Sequence, residues 1–316
     1  MKSDERYERL ILAPMLGILV AAGGLWLMKT GVYGLTLFVV IPILMGGVGT
    51  LVLRPQTLMG ATGAGSYMVL SGLCCLFFIK VEGLGCLVMA VPLVLPLGIL
   101  GAWIVYVVTG LVSGARRGSV AMMLLFTPVS LMWDTHAKPP VFAVQTTIEI
   151  AATPEQVWKH VVTFSELPEP HEWYFQAGLA YPQRARIQGS GPGAVRYCEF
   201  STGPFVEPIE TWDEPHLLRF RVTENPAPMH EWSPYAEVLP KHLHGYLVSK
   251  RGQFRLTELP NHHTLLEGTT WYQHGLWPAQ YWRLWSDAII HRIHLRVLNH
   301  IRTLAEREVT GGPHDD

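Results

Sequence analysis

The sequence predicts an α-helical membrane bundle of four or five spans, followed by an α+β domain in which a curved antiparallel sheet of about seven strands packs around one long C-terminal helix. Three observations carry that prediction. No charged residue lies within 10–28, 32–53, 58–79 or 83–113, and each stretch meets or approaches the roughly 20 apolar residues a helix needs to cross the hydrocarbon core. All 14 histidines follow Trp133, which assigns any chemistry to the C-terminal part. From Phe142 onward the pattern changes to short alternating strands and closes on one long amphipathic helix.

The charges divide the same way. Residues 1–133 hold eight basic and four acidic side chains, net +4, against 16 basic and 21 acidic in the remainder, net −5. A mildly acidic globular part offers no basic stripe, so nucleic acid is not an expected partner. Cys74, Cys75 and Cys86 lie in the apolar stretches and only Cys198 in the globular part, which excludes a disulfide framework there.

Lys2, Arg6 and Arg9 precede the first apolar stretch. That stretch is too long, and too quickly followed by others, for a cleaved signal, and the positive-inside bias places its start in the cytoplasm. Counting forward, Lys29 falls outside, Arg54 inside, Lys80 outside, and Arg116-Arg117 inside. A fifth segment, Gly118–Trp133, is short and interrupted by Pro128; crossing would put the globular part outside the cytoplasm, and an interfacial helix would leave it inside. Crossing is the reading adopted, since local thinning accommodates a short apolar helix. The expectation is an integral membrane protein of bacterial inner-membrane type with an extracytoplasmic globular domain. Gly60/Ala64 and Ala61/Gly65 have the spacing of small residues at helix contacts. No ionisable residue interrupts the four stretches, so the bundle reads as an anchor or lipid-facing scaffold.

A polar, proline-stiffened linker, 134–141, leads into the globular domain, 142–309, and a short tail, 310–316, follows it. The run 142–150 alternates as a strand does, and Thr153 with Pro154 opens a helix as cap and first residue. A short helix is expected near Trp173. Strands are expected at 183–188, 194–202, 205–212, 216–224, 247–258 and 264–274, separated by Gly, Pro, Asn and Asp turns. The last element is a helix from about 279 to 307. Plotted at 100° per residue, Trp282, Trp285, Ile289, Ile293, Val297 and Leu304 share one face with His300, while Asp287, His291, His294 and Leu298 line the other. An apolar face must cover something, and without alternating helices the strands cannot form a doubly wound parallel sheet.

From about Val144 to Arg307 the order of elements resembles the SRPBCC superfamily, also called START-like or Bet v 1-like, and particularly its polyketide cyclase/dehydrase and lipid-transport branch. Ala152-Thr153-Pro154 with Val157-Trp158 is similar to the small-x-Pro-x-x-Val-Trp pattern of the first strand and helix. Gly189-Ser190-Gly191-Pro192-Gly193 is similar to its glycine-rich turn, and Trp212-Asp213-Glu214-Pro215 to the turn between the fourth and fifth strands. The resemblance implies a helix-grip fold with an apolar cavity between sheet and long helix. For its lining we expect Tyr272 and His274 on the last strand, where Gly268 leaves room on the same face, opposed by Trp282, Trp285 and Ile289. Such a fold hosts carriers, receptors and enzymes alike, so it does not settle the function.

The glycine-rich turn leads into a strand, whereas phosphate cradles lead into a helix N-terminus. His171-Glu172 starts like a zinc-protease helix, but Phe175 stands where the second histidine is required. His242, His244 and His262-His263 read as loop or surface histidines, and Cys198 as a buried core residue. The metal candidate is Asp287, His291 and His294, one helix face of zinc-type donors; no further ligand is evident, and no cofactor is assigned. Glu199, Glu207 and Glu210 with Arg196, Arg219 and Arg221 suit cross-strand pairs. The long insertion 224–246, with Met229, Trp232 and Tyr235, suits a lid or a segment resting on the bilayer.

The function expected is membrane-anchored binding, extending to transfer, of a lipid or other apolar small molecule, with the bilayer and that molecule as partners. An enzyme of cyclase or dehydratase type in the same cavity is the first alternative. A sensor or assembly module for a membrane partner is the second.

Overall fold

The computed structural model describes residues 20–311 except 21, 112–114, 236, 237 and 239, with the backbone alone over 115–125. The chain forms two compact units, Met1–Lys138 with Glu231–His242 and Gly275–Tyr281, and Pro139–His230 with Leu243–His274 and Trp282–Asp316.

In the helical unit a π-helical turn, Thr36–Val40, runs into α1 (Ile41–Leu53), followed by α2 (Leu58–Phe78), α3 (Leu84–Leu111) and α4 (Ala115–His136). Three stretches, Thr36–Leu53, Leu58–Phe78 and Leu84–Leu111, are long and apolar enough to cross a membrane. The first expected span, 10–28, lies largely outside the described residues, of which 22–30 are helical. Glycine lets these helices touch backbone to backbone. A Cβ on Gly46 would lie 1.7 Å from the Gly98 carbonyl oxygen, and one on Gly101 2.1 Å from that of Ile43. Of the small-residue pairs, Ala61, Ala64 and Gly65 are buried in this packing, whereas Gly60 is exposed.

Two polar contacts fix the direction of α4. The Tyr106 hydroxyl donates to the Gln56 carbonyl near the end of α3. At the far end of α4 the Asp134 carboxylate accepts the backbone N–H groups of Leu35 at 2.6 Å and Thr36 at 2.9 Å. Because α1, α2 and α3 alternate in direction through short turns, α4 returns the chain to the end of the unit where the 79–83 turn lies. A carboxylate on the free N–H groups of a helix start is the favourable arrangement for both.

The second unit is a seven-stranded antiparallel sheet in the order β1-β7-β6-β5-β4-β3-β2. Its strands are β1 (Val141–Ile150), β2 (Pro182–Gln188), β3 (Val195–Phe200), β4 (Gly203–Asp213), β5 (Leu217–Arg221), β6 (Leu247–Leu259) and β7 (His263–His274). Two short helices, α5 (Pro154–Val162) and α6 (Trp173–Gln176), precede β2, and α7 (Ala279–Thr310) ends the unit. Every expected element is present within a few residues of its expected bounds. Thr153 and Gln156 make a reciprocal capping box at the start of α5, satisfying two backbone donors that a helix start leaves open. Gly189, Gly191 and Gly193 all have positive φ in the β2–β3 turn, a conformation that costs a side-chain-bearing residue. Register shifts in β2, β4 and β6 interrupt the ladder; such bulges bend strands and raise their twist.

The orientation of α7 corrects the sequence reading. The buried residues are Trp282, Ser286, Ile290, Val297, Leu298, Ile301 and Ala305: Trp282 and Val297 are buried as expected, but His294 and Leu298 face the sheet instead of lining an outer polar face. Apolar residues cover a broad arc of this helix, and polarity at 294 hid the true stripe. The imidazole is tolerated inside because Thr146 and Thr270 hydroxyls meet it there, and a hydrogen-bonded polar group escapes most of its burial cost. His242 is a second correction: it is no surface histidine, its side chain being only 10% exposed.

Candidate functional site: a cavity between sheet and long helix

Strand alternation builds the site. In β3 the residues Arg196, Cys198 and Phe200 are buried while their neighbours are half-exposed. Arg196 stands opposite Glu207 of β4 in the antiparallel register, which turns both charged side chains inward. On β7 the face bearing Leu266, Gly268, Thr270, Tyr272 and His274 is turned to α7: Thr270 meets His294, and the Tyr272 hydroxyl donates to Asp287.

Between these walls lies a cavity of about 130 Å³. Phe205, Phe220, Phe254, Ile289, Ile293 and Leu298 supply its apolar lining, and the segment 225–228 closes one side. Arg196, Glu207, Gln253 and His294 bring polar groups to the same wall. The Arg196 guanidinium donates to Glu207 and, at 3.3 Å, to the Val162 carbonyl, and it lies 5.5 Å from the ring centres of Phe164, Phe220 and Phe254. Burial pushes the Glu207 carboxyl up, with the Arg196 charge opposing. Burial also pushes the Cys198 thiol up to about 12, which leaves it an unreactive core group, as expected. His294 is pushed down to about 4 by burial and is neutral at pH 7. Its two ring nitrogens are 3.1 Å from the Thr146 hydroxyl and 2.7 Å from that of Thr270, so one donates and the other accepts. A ring so engaged has no lone pair to offer a substrate.

The residues expected at the ligand divide. Ile289 and Gly268 both line the cavity; Tyr272, His274, Trp282 and Trp285 are not among the lining residues described. Tyr272 packs with Val144 and Ile290 in a separate small cluster, and His274 stacks on Phe142 at 5.4 Å. Trp282 is buried and Trp285 half-buried. The metal candidates are pinned to the sheet: Asp287 accepts from Tyr272 and Arg283, and His291 meets Thr146 at 2.8 Å. Of the foreseen charge pairs, Arg196 with Glu207 forms, whereas Glu199 pairs with Arg184 and Arg186, and Glu210 with Arg251, none of which was an expected partner. The aromatic residues of the cavity went unrecognised, because only the pairing of β5 with β6 brings Phe220 beside Phe254.

A curved antiparallel sheet gripping one long helix around an internal cavity defines a helix-grip domain. Residues 141–267 match the family described as polyketide cyclase / dehydrase and lipid transport. No curated protein sequence matches the chain. Among solved structures, the Zhui aromatase/cyclase from Streptomyces sp. R1128 is 17% identical, with 55% of this chain and 100% of that one covered and a TM-score of 0.36. A Nitrosospira multiformis protein is 16% identical over 54% of this chain and 99% of its own, TM-score 0.35. A norcoclaurine synthase point mutant from Thalictrum flavum is 11% identical over 55% and 99%, TM-score 0.34. Likeness at this level carries no inference about activity.

Proposed function

We propose that the sheet-and-helix unit binds an apolar small molecule, of the lipid or isoprenoid class, and that the helical unit holds it at a bilayer. The carrying observation is the cavity, since close-packed interiors keep few voids larger than a water. At about 130 Å³ it is comparable with the roughly 150 Å³ engineered cavity that stays dry and binds benzene. It therefore suits one ring or a short piece of acyl chain. A longer ligand would have to displace the 225–228 segment that closes one side. Supporting the anchor are the three helices apolar enough to span. The direction of α4 supports an extracytoplasmic domain, since the positive-inside bias puts the Lys80 turn outside.

A ligand held this way travels with the protein. The full chain, extracted from membranes in mild detergent, is expected to carry an apolar mass by native mass spectrometry, and Ile289→Trp to lose it. That substitution costs about 1–3 kcal/mol where packing is tight and less where it is hollow. A ligand-free wild type together with a strongly destabilised variant would mean a solid core and end the proposal.

The buried Arg196–Glu207 pair favours one second reading, a cyclase or dehydratase-type enzyme in which these groups orient a carbonyl or hydroxyl of the substrate. Under that reading the molecule recovered from Glu207→Gln differs in mass from the wild-type one, by one water for a dehydration. Identical masses leave the binder alone.

A further inference from the structure

A cluster of metal-capable side chains lies within the helical unit. Glu82 closes the α2–α3 turn, Cys86 sits in the first turns of α3, and Glu231 and His242 come from the segment 231–242, which folds with this unit. One donor atom from each of the four lies within 4.8 Å of all the others. Cys86 Sγ is 2.9 Å from His242 Nε2 and hydrogen-bonds the Glu231 carboxylate. Glu82 Oε1 is 3.6 Å from His242 Nδ1.

The local sequence makes the approach possible. A Cβ at position 83 would fall 2.0 Å from a Glu231 carboxylate oxygen, so glycine there admits the acid beside Cys86. The Leu84 N–H donates to the Trp232 carbonyl at 2.9 Å, and Lys241 Nζ to the Lys29 carbonyl at 2.6 Å, pinning both ends of the segment. Yet three atoms in the cluster, Glu82 Oε2, Glu231 Oε2 and His242 Nδ1, are buried with no hydrogen-bond partner among the described residues. Native interiors rarely leave buried polar groups unmatched without a missing ion or water to explain them. A thiol–carboxylate hydrogen bond alone leaves all three unexplained.

The geometry points to a binding site for a zinc-class divalent cation, with Cys86 Sγ, Glu231 and His242 Nε2 as ligands and Glu82 accepting the His242 Nδ1–H. A thiolate, an imidazole and a carboxylate are zinc-type donors, whereas calcium and magnesium take oxygen alone. Bond lengths of about 2.0–2.3 Å give tetrahedral ligand-to-ligand edges of about 3.3–3.8 Å, within about 1 Å of the separations present. One thiolate and one carboxylate cancel the two positive charges, as a buried site requires. The Cys86 thiol proton leaves to solvent on binding. Glu82, which Tyr33 also hydrogen-bonds, supplies the carboxylate that fixes the histidine tautomer in such sites. Three protein ligands leave a fourth position for water or another donor. The cation would clip the 231–242 segment onto the 79–83 turn.

Cobalt(II) is the probe. The full chain, purified in non-ionic detergent without a histidine tag and stripped with chelator, is titrated with Co²⁺ alone. One equivalent should bind with a thiolate-to-cobalt charge-transfer absorption and tetrahedral d–d bands, and Zn²⁺ should bleach both. Cys86→Ser should abolish the charge-transfer band, while Glu82→Gln should keep it and weaken binding about 10- to 100-fold. A parallel measurement needs no variant: Zn²⁺ should protect Cys86, but not the exposed Cys74, from alkylation read by peptide mass spectrometry. Absence of the thiolate band in the wild type, its persistence in Cys86→Ser, or equal alkylation of Cys86 with and without Zn²⁺ would each overturn the proposal.

Discussion

Removing one member of the Arg196–Glu207 pair should hurt far more than removing both. The two side chains are 2% and 8% exposed, deep enough for the uncompensated-charge penalty to apply. Breaking a buried ion pair by deleting one partner costs about 3–5 kcal/mol, whereas replacing both with apolar groups of similar size is neutral or stabilising. In Glu207→Leu the guanidinium cannot shed its proton, so the full penalty is expected at every pH. Its contacts to Val162 and the three phenylalanine rings remain but do not neutralise charge. In Arg196→Met the orphaned carboxyl escapes by taking up a proton. Burial already raises its folded pKa, so the folded state binds the proton more tightly than the unfolded chain. The associated stability is then fully present below the unfolded value of about 4.3 and is lost as pH rises towards the raised folded value. Hydrogen–deuterium exchange on the full chain reads this from the slowest amides of β3, β6 and β7. Glu207→Leu should speed them by about two to four decades, given 1.36 kcal/mol per decade, and the double variant Arg196→Met/Glu207→Leu by less than about one. Arg196→Met should exchange more slowly at pH 5 than at pH 8 after correction for intrinsic rates. Equal rates in Glu207→Leu and the double variant would refute the coupling.

Leu298, fully buried on α7 against Gly268, tests the same core: Leu298→Ala should cost about 2–5 kcal/mol by that exchange readout, and a value under about 1 would mean the helix face is misassigned. Topology reporters test the membrane arrangement. A reporter fused after Arg117 should read cytoplasmic and one after Asp316 extracytoplasmic; agreement of the two would mean that 118–133 does not cross.

Period and punctuation were enough to place the strands and helices of the sheet unit. Alternation in 142–150 and 195–200 arises because successive strand side chains face opposite sides, and the turn glycines mark positions where only they sit without strain. Those signals are local, so they survive in the sequence. The apolar stretches were legible for the same reason. Even Arg196 with Glu207 could be foreseen, since neighbouring strands joined by a short turn bring near residues into register.

What joins distant segments was decided by the tertiary structure alone. His294 reads as an outward polar residue until Thr146 and Thr270, from strands at one edge of the sheet, come close enough to satisfy it. The cavity needs Phe205, Phe220, Phe254 and Ile289 at once, and no single spacing encodes four elements meeting. His242 looked like a loop histidine because its partner Cys86 is 156 residues away. The sequence specifies which residues must leave water, since transfer out of water is a property of each side chain. Which of them meet is set by chain topology and packing, through contacts that no one segment contains.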